Sequence, residues 1–131
     1  MLFRSDELTL ATTSTILQIN NGAVRAHSFD PEEIGIERAP LSALVGGTPD
    51  VNAKIIREVF EGKQGPVRDA ILLNSAIAIA AFKGDFDIGL TQQIANGLVL
   101  AQQAIDTGKA LELLNNFGKL TQELSPSNTA K

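Results

Sequence analysis

From Ala70 to Phe82 the chain is apolar on almost every side. On a helix with 3.6 residues per turn, Ile71, Leu72, Leu73, Ile77 and Ile79 leave no polar face, and such a helix has to be enclosed by other elements. Its uninterrupted apolar run, Ala76 to Phe82, is far below the ~20 residues needed to cross a bilayer, so the enclosure has to be protein. The expectation is a central core helix, opened by Gly65-Pro66 and wrapped by the rest of a 131-residue chain, the size of one domain.

The wrapping elements are also legible. Thr12 to Ile19 is β-branched and Thr-rich, Asn21-Gly22 supplies a two-residue turn tolerant of positive φ, and Ala23 to Phe29 resumes as a second strand. Asp30-Pro31-Glu32-Glu33 has the residues of a capping box, and Gly35 ends it within about a turn. A short turn at Leu41 to Leu44 runs into Gly46-Gly47. Thr48-Pro49 then opens a helix with Ile55, Ile56, Val59 and Phe60 on one stripe, ended by Gly62. After the Gly84-Asp85-Phe86-Asp87 loop, Asp87 is placed to cap a helix carrying Ile94, Leu98, Ala101 and Ile105. A last helix carries Leu113, Leu114, Phe117, Leu120 and Leu124, whose spacing is read as packing inside the fold. The fold class expected of the isolated chain is therefore α+β, a β-hairpin followed by a mainly α-helical body. Residues 1–124 are expected to form a single domain and residues 125–131 a disordered tail.

Charge and composition remove several functions. With 15 acidic and 11 basic side chains the net charge is -4, which argues against nucleic-acid binding, since phosphates require a basic face. Cysteine is absent and His27 is the one histidine, which leaves no thiolate site and no ordinary zinc centre. No charged start followed by an apolar core marks a leader. The expectation is a soluble cytoplasmic chain with neither nucleic acid nor membrane as partner.

Three places offer chemistry. Asp6-Glu7 is an acidic pair close to the first residue; a pair so placed is ordinarily plain solvated charge, with metal binding the lesser reading. Gly62 to Arg68 combines glycines and basic residues before a helix, which suits an anion, although a glycine cap followed by a proline start accounts for it fully. His27 has no nucleophile or acid at a useful spacing and reads as a surface strand histidine.

The order of motifs is similar to a known family. Asp6-Glu7 before a strand, Asp30-Pro31-Glu32 with Gly35, Gly46-Gly47 followed by Asn52-Ala53, Arg68-Asp69 with Leu73-Asn74, and Ile105-Asp106 with Gly108-Lys109-Ala110 resemble the last third of the anthranilate phosphoribosyltransferases. That family belongs to a glycosyltransferase group that also contains pyrimidine nucleoside phosphorylases. The resemblance, from Asp6 to about Leu124, implies that this is part of the α/β C-terminal domain of a larger enzyme. It implies transfer of a phosphoribosyl group from phosphoribosyl pyrophosphate (PRPP) to anthranilate, with Mg2+ held by Asp6 and Glu7 against the diphosphate. No catalytic residue is assigned within this chain. The family's glycine-rich phosphate loop, further metal ligand and helical lobe have no counterpart in the sequence, so a fragment inactive by itself is expected. So is self-association, through an open sheet edge or apolar helix faces. Two alternatives stay open: a non-catalytic helical module that binds a protein partner, and a piece of a pyrimidine nucleoside phosphorylase.

Overall fold

The computed structural model describes residues 7–125. Two strands, β1 (Ser14–Asn20) and β2 (Ala23–Phe29), are followed by two 3-10 turns (Pro31–Ile34 and Leu41–Leu44) and four helices: α1 (Pro49–Phe60), α2 (Pro66–Lys83), α3 (Leu90–Asp106) and α4 (Lys109–Glu123). A two-stranded antiparallel hairpin packed with helices is an α+β arrangement. No helix among the described residues is long and apolar enough to cross a membrane.

The hairpin forms where the turn chemistry places it. Asn21 takes φ 48° and Gly22 φ 77°, both in the region that asparagine and glycine tolerate, so the strands pair Ser14 with Phe29 through Asn20 with Ala23. β1 starts at Ser14, two residues later than its β-branched run suggests. Beyond Ile16, which packs on the core, the alternation along β1 is inverted relative to a half-buried sheet: Gln18 and Asn20 turn inward, while Leu17 and Ile19, with Val24 across from Ile19, are exposed.

Below the hairpin, Asp30 ties the chain into a compact knot. Its carboxylate accepts from the backbone N–H of Glu32 at 3.1 Å, the Glu33 carboxylate accepts from the N–H of Asp30 at 3.0 Å, and the Arg38 guanidinium pairs with Asp30. The Thr91 hydroxyl donates to the other Glu33 oxygen at 3.1 Å and brings the start of α3 onto the knot.

The core is the α2–α3 crossing. Leu72, Leu73, Ala76 and Ala80 of α2 face Ile94, Leu98, Ala101 and Ile105 of α3, with Leu10, Phe29, Ile36 and Val59 closing the sides. Gly97 permits the close approach: a Cβ there would stand 2.2 Å from the carbonyl oxygen of Ala76. Enclosure of α2 is uneven. Ile71, Ile77 and Ile79 are half-buried and Phe82 is 93% exposed: α3 covers one face, while the Leu8 segment, Leu44 and Ile16 cover the other in part and leave open grooves.

Two further expectations change. The cap of α3 is Gly89, not Asp87; the Gly89 carbonyl accepts from Gln93 N–H at 3.0 Å, and the Gln93 side chain turns back to the Ile88 carbonyl at 2.9 Å. In α4 most of the apolar row expected to pack inside is bare: Leu113 is 70%, Phe117 62%, Leu120 51% and Leu124 74% exposed, and Leu114 is half-buried. This helix docks by its other side, with Ala110 against the core and Arg57 of α1 donating to Asn115 at 2.8 Å.

Candidate functional site

Of the acidic pair, Asp6 lies outside the described residues and Glu7 is their first. Glu7 stands where two open grooves meet. One, about 510 Å3, runs along α2 past Val67, Ala70, Ile71, Ser75 and Ala78. The other, about 400 Å3, runs under β1 past Leu8, Thr15, Ile16, Leu17 and Ile77. Asn74 lines both, as Glu7 does.

What places Glu7 there is the residue after it. The Asn74 side-chain oxygen accepts from Leu8 N–H at 2.9 Å, and its amide nitrogen donates to the Leu8 carbonyl at 3.0 Å and to the Ala70 carbonyl of its own helix at 3.1 Å. Asparagine offers a donor and an acceptor in one plane, so it pairs with a chain segment much as a neighbouring strand would. Two residues on, Leu10 is fully buried and its carbonyl accepts from Ala39 N–H at 3.1 Å. The segment leaving the acidic pair is thus pinned to the central helix by side chain, core and backbone.

The donor chemistry fits a magnesium ion in part. A carboxylate at a groove lip is a hard oxygen ligand, and magnesium is ordinarily held by one or two carboxylates with water and substrate phosphates completing the shell. Among the described residues no group of three or more His, Asp or Glu side chains converges, so Glu7 could serve only as one ligand of a shared site.

The other candidates resolve toward structure. In the Gly62 to Arg68 segment, Gly62 (φ 104°) and Gly65 (φ 123°) serve the ends of α1 and α2, as the cap reading expects. Its basic groups are engaged: Lys63 Nζ meets Glu58 at 2.7 Å, and Arg68 turns inward to Asp106 at 2.7 Å. Arg68 is buried and its second terminal nitrogen, Nη1, has no hydrogen-bond partner among the described residues. Beside it, burial pushes the Asp69 carboxyl above the usual range, opposed by Arg68 and reinforced by Glu37. His27 is not the surface histidine expected: it faces inward, half-buried, with Nε2 3.1 Å from the Gln18 side-chain oxygen, in a crevice shared with Asn20, Arg25 and Gln93. Sequence reasoning missed Asn74 as a contact of this region, because its partner lies 66 residues away.

Residues 1–111 match the family described as glycosyl transferase family, a/b domain. The anthranilate phosphoribosyltransferase of Rhodococcus opacus is 48% identical over 122 residues, which is 93% of this chain and 34% of that protein. Among solved structures, the Saccharomyces cerevisiae anthranilate phosphoribosyltransferase in complex with 4-fluoroanthranilate superposes with a TM-score of 0.74 at 25% identity, covering 92% of this chain and 34% of that one. A variant of the yeast enzyme with Mg bound gives a TM-score of 0.74 at 27% identity, covering 86% and 32%. The chain spans about a third of the length of these relatives.

Proposed function

The chain belongs to the glycosyl transferase family with an α/β domain, and from that premise we propose that it is a portion of an anthranilate phosphoribosyltransferase, a cytoplasmic enzyme of tryptophan biosynthesis. The reaction is transfer of the phosphoribosyl group of PRPP to the amino group of anthranilate with loss of diphosphate. The observation that carries this reading is the 48% identity to the Rhodococcus opacus enzyme across nearly the whole chain. The similarity of the named relatives and structures to one another in activity favours it over a nucleoside phosphorylase or a non-catalytic interaction module.

In this reading Asp6 and Glu7 would hold Mg2+, which neutralises charge on the leaving diphosphate when bound. The chain's own contribution is placement. The α2–α3 core backs the groove, and the clamp on Leu8 holds the chain next to Glu7 beside it. Groups that bind anthranilate and the remaining phosphates come from the rest of the enzyme, so the isolated chain is expected to be silent: transition-state stabilisation requires all of them in one geometry.

The chain is also proposed to self-associate. Leu17, Ile19 and Val24 on the hairpin and the α4 row are exposed apolar surface, and both edges of a two-stranded sheet offer unpaired backbone groups. Light scattering over a concentration series should show growth in mass; constant monomer mass would remove this part of the reading.

The decisive experiment for the reaction is a chimera in which this chain replaces the matching third of the Rhodococcus opacus enzyme. Anthranilate fluorescence should decay with PRPP and Mg2+, more slowly in Glu7→Gln, whereas the isolated chain should leave it unchanged. A folded chimera without turnover would refute the reading.

A further inference from the structure

We infer that the polar crevice between the inner face of the hairpin and the start of α3 binds a phosphate group, free or as the monoester of a small hydroxylated molecule. The crevice is separate from the acidic pair, and the inference does not depend on the transferase reading.

Its basis is the inverted face of the hairpin. Past Ile16, the side of the hairpin that lines the crevice carries Gln18, Asn20 and His27, with Arg25 exposed at the mouth, while Leu17, Ile19 and Val24 take the outer side. A sheet packed dry against a helix would carry the opposite pattern, because a buried polar group without a partner costs stability. The hairpin therefore holds these groups over a space: a crevice of about 270 Å3, also lined by Gln93 of α3. Pockets for drug-sized ligands hold roughly 300–1,000 Å3, so this one suits a small molecule and no peptide.

The bonds already made leave most of the polar groups open. An amide oxygen only accepts, so the 3.1 Å contact of His27 Nε2 with the Gln18 oxygen puts a proton on Nε2. The Gln18 NH2 group then has no partner among the described residues, nor have the Asn20 amide and the Arg25 guanidinium. Gln93 is 6% exposed; its Nε2 donates to the Ile88 carbonyl at 2.9 Å, and its oxygen has no hydrogen-bond partner among the described residues.

These groups select an oxyanion. No acidic side chain among the described residues lines the crevice: Asp85 and Asp87 stand in the adjoining loop outside the lining, and the Glu33 carboxylate at the start of α3 is engaged by Asp30 N–H and the Thr91 hydroxyl. A guanidinium offers a fork of donors that matches two oxygens of one anion, and the amides add directional donors that a simple counter-ion does not use. Phosphate has more accepting oxygens than a carboxylate and so engages more of them. The Gln93 oxygen is an acceptor, which a hydroxyl on the ligand satisfies; hence the monoester.

The test uses the whole chain at a concentration where light scattering gives monomer, with ionic strength held constant by chloride. Inorganic phosphate, glycerol 3-phosphate and acetate are added separately, and side-chain resonances are followed by NMR. Phosphate should shift Arg25 Nε–H, the His27 ring and the Gln18, Asn20 and Gln93 amides saturably, leaving the Asn115 amide on α4 in place. Glycerol 3-phosphate should do so at lower concentration; equal binding of the two assigns the free ion. Arg25→Met should weaken phosphate binding about tenfold or more, while Arg57→Met on α1 leaves it unchanged. Equal loss in both variants, or shifts that do not saturate, would mean diffuse charge attraction and overturn the inference. Saturation by acetate without phosphate would overturn the phosphate assignment, and no binding of any probe would leave the crevice to water alone. Should Arg25→Met fail to fold by circular dichroism, the unaltered chain decides: phosphate shifts confined to the crevice side chains uphold the site, and equal shifts at Arg57 and Asn115 overturn it.

Discussion

Helices α3 and α4 carry apolar residues at the same intervals and meet opposite fates. Ile94, Leu98, Ala101 and Ile105 are all buried; Leu113, Phe117, Leu120 and Leu124, offset by the same steps, are all more than half exposed. A period of three and four residues therefore specifies that a stripe exists, not that anything covers it. What separates the two is the partner's surface. Helix α3 meets α2 closely at a small residue, Gly97 against the backbone of Ala76, which lets the large neighbours on both helices interlock. Helix α4 turns its half-buried side to the body and leaves its stripe bare, which is why the proposed self-association points to this face.

Matched substitutions sharpen the contrast, beginning with the largest effect. Ile94→Ala should cost roughly 2–5 kcal/mol by urea unfolding, since the side chain is fully buried, whereas Leu113→Ala should stay within about 0.5 kcal/mol in dilute solution. A similar cost at both sites would mean that the α4 stripe is covered in the monomer.

Glycine replacements should differ in sign. Gly97→Ala drives a methyl into the Ala76 carbonyl and should destabilise by roughly 1–3 kcal/mol. Gly118→Ala, in α4 with nothing within 4 Å of the new Cβ, should stabilise by about 0.5–1 kcal/mol through helix propensity. Thermal denaturation of the two variants checks this; Gly97→Ala as benign as Gly118→Ala would contradict the close crossing.

Arg68 gives a smaller effect. Asp106→Ala leaves a buried guanidinium without its one described side-chain partner and should cost about 1–3 kcal/mol, while Arg68→Met should be neutral or stabilising. Equal loss in both variants would show that the pair contributes net stability.

The least effect concerns acid. The Arg38 guanidinium, followed by the Glu32 N–H, holds the Asp30 carboxyl below its ordinary value of 3.8, and Lys63 does the same for Glu58 below 4.5. Because the folded-state values are the lower ones, this stabilisation is present above the ordinary values and is lost as pH falls through the folded ones. Arg38→Met should flatten the fall of melting temperature below about pH 4, and salt should do so partially, as the groups are exposed. An unchanged acid limb would remove the knot from the account.

Local signals in the sequence carried most of the fold. Asn21-Gly22, the Asp30 capping box and the glycine-proline junctions each act over a few residues, and each stands where the sequence puts it. The failures are non-local. The inverted hairpin, the partly open side of α2 and the bare α4 stripe depend on what faces an element, which periodicity does not encode. The candidate site shows the same division: the acidic pair was legible from residue type, but the Asn74 clamp on Leu8 and the Arg68–Asp106 pair join positions 66 and 38 residues apart.

Amide hydrogen exchange on the unaltered chain, at a concentration where light scattering gives monomer, tests the contrast between the two helices most directly. Amides of α3 from Ile94 to Ile105 should exchange only through global unfolding, with the Leu8 amide protected by Asn74. Amides of α4 from Leu113 to Leu120 should exchange faster, by local opening. Protection of α4 equal to that of α3 in the monomer would contradict the account, since identical stripes would then be equally enclosed.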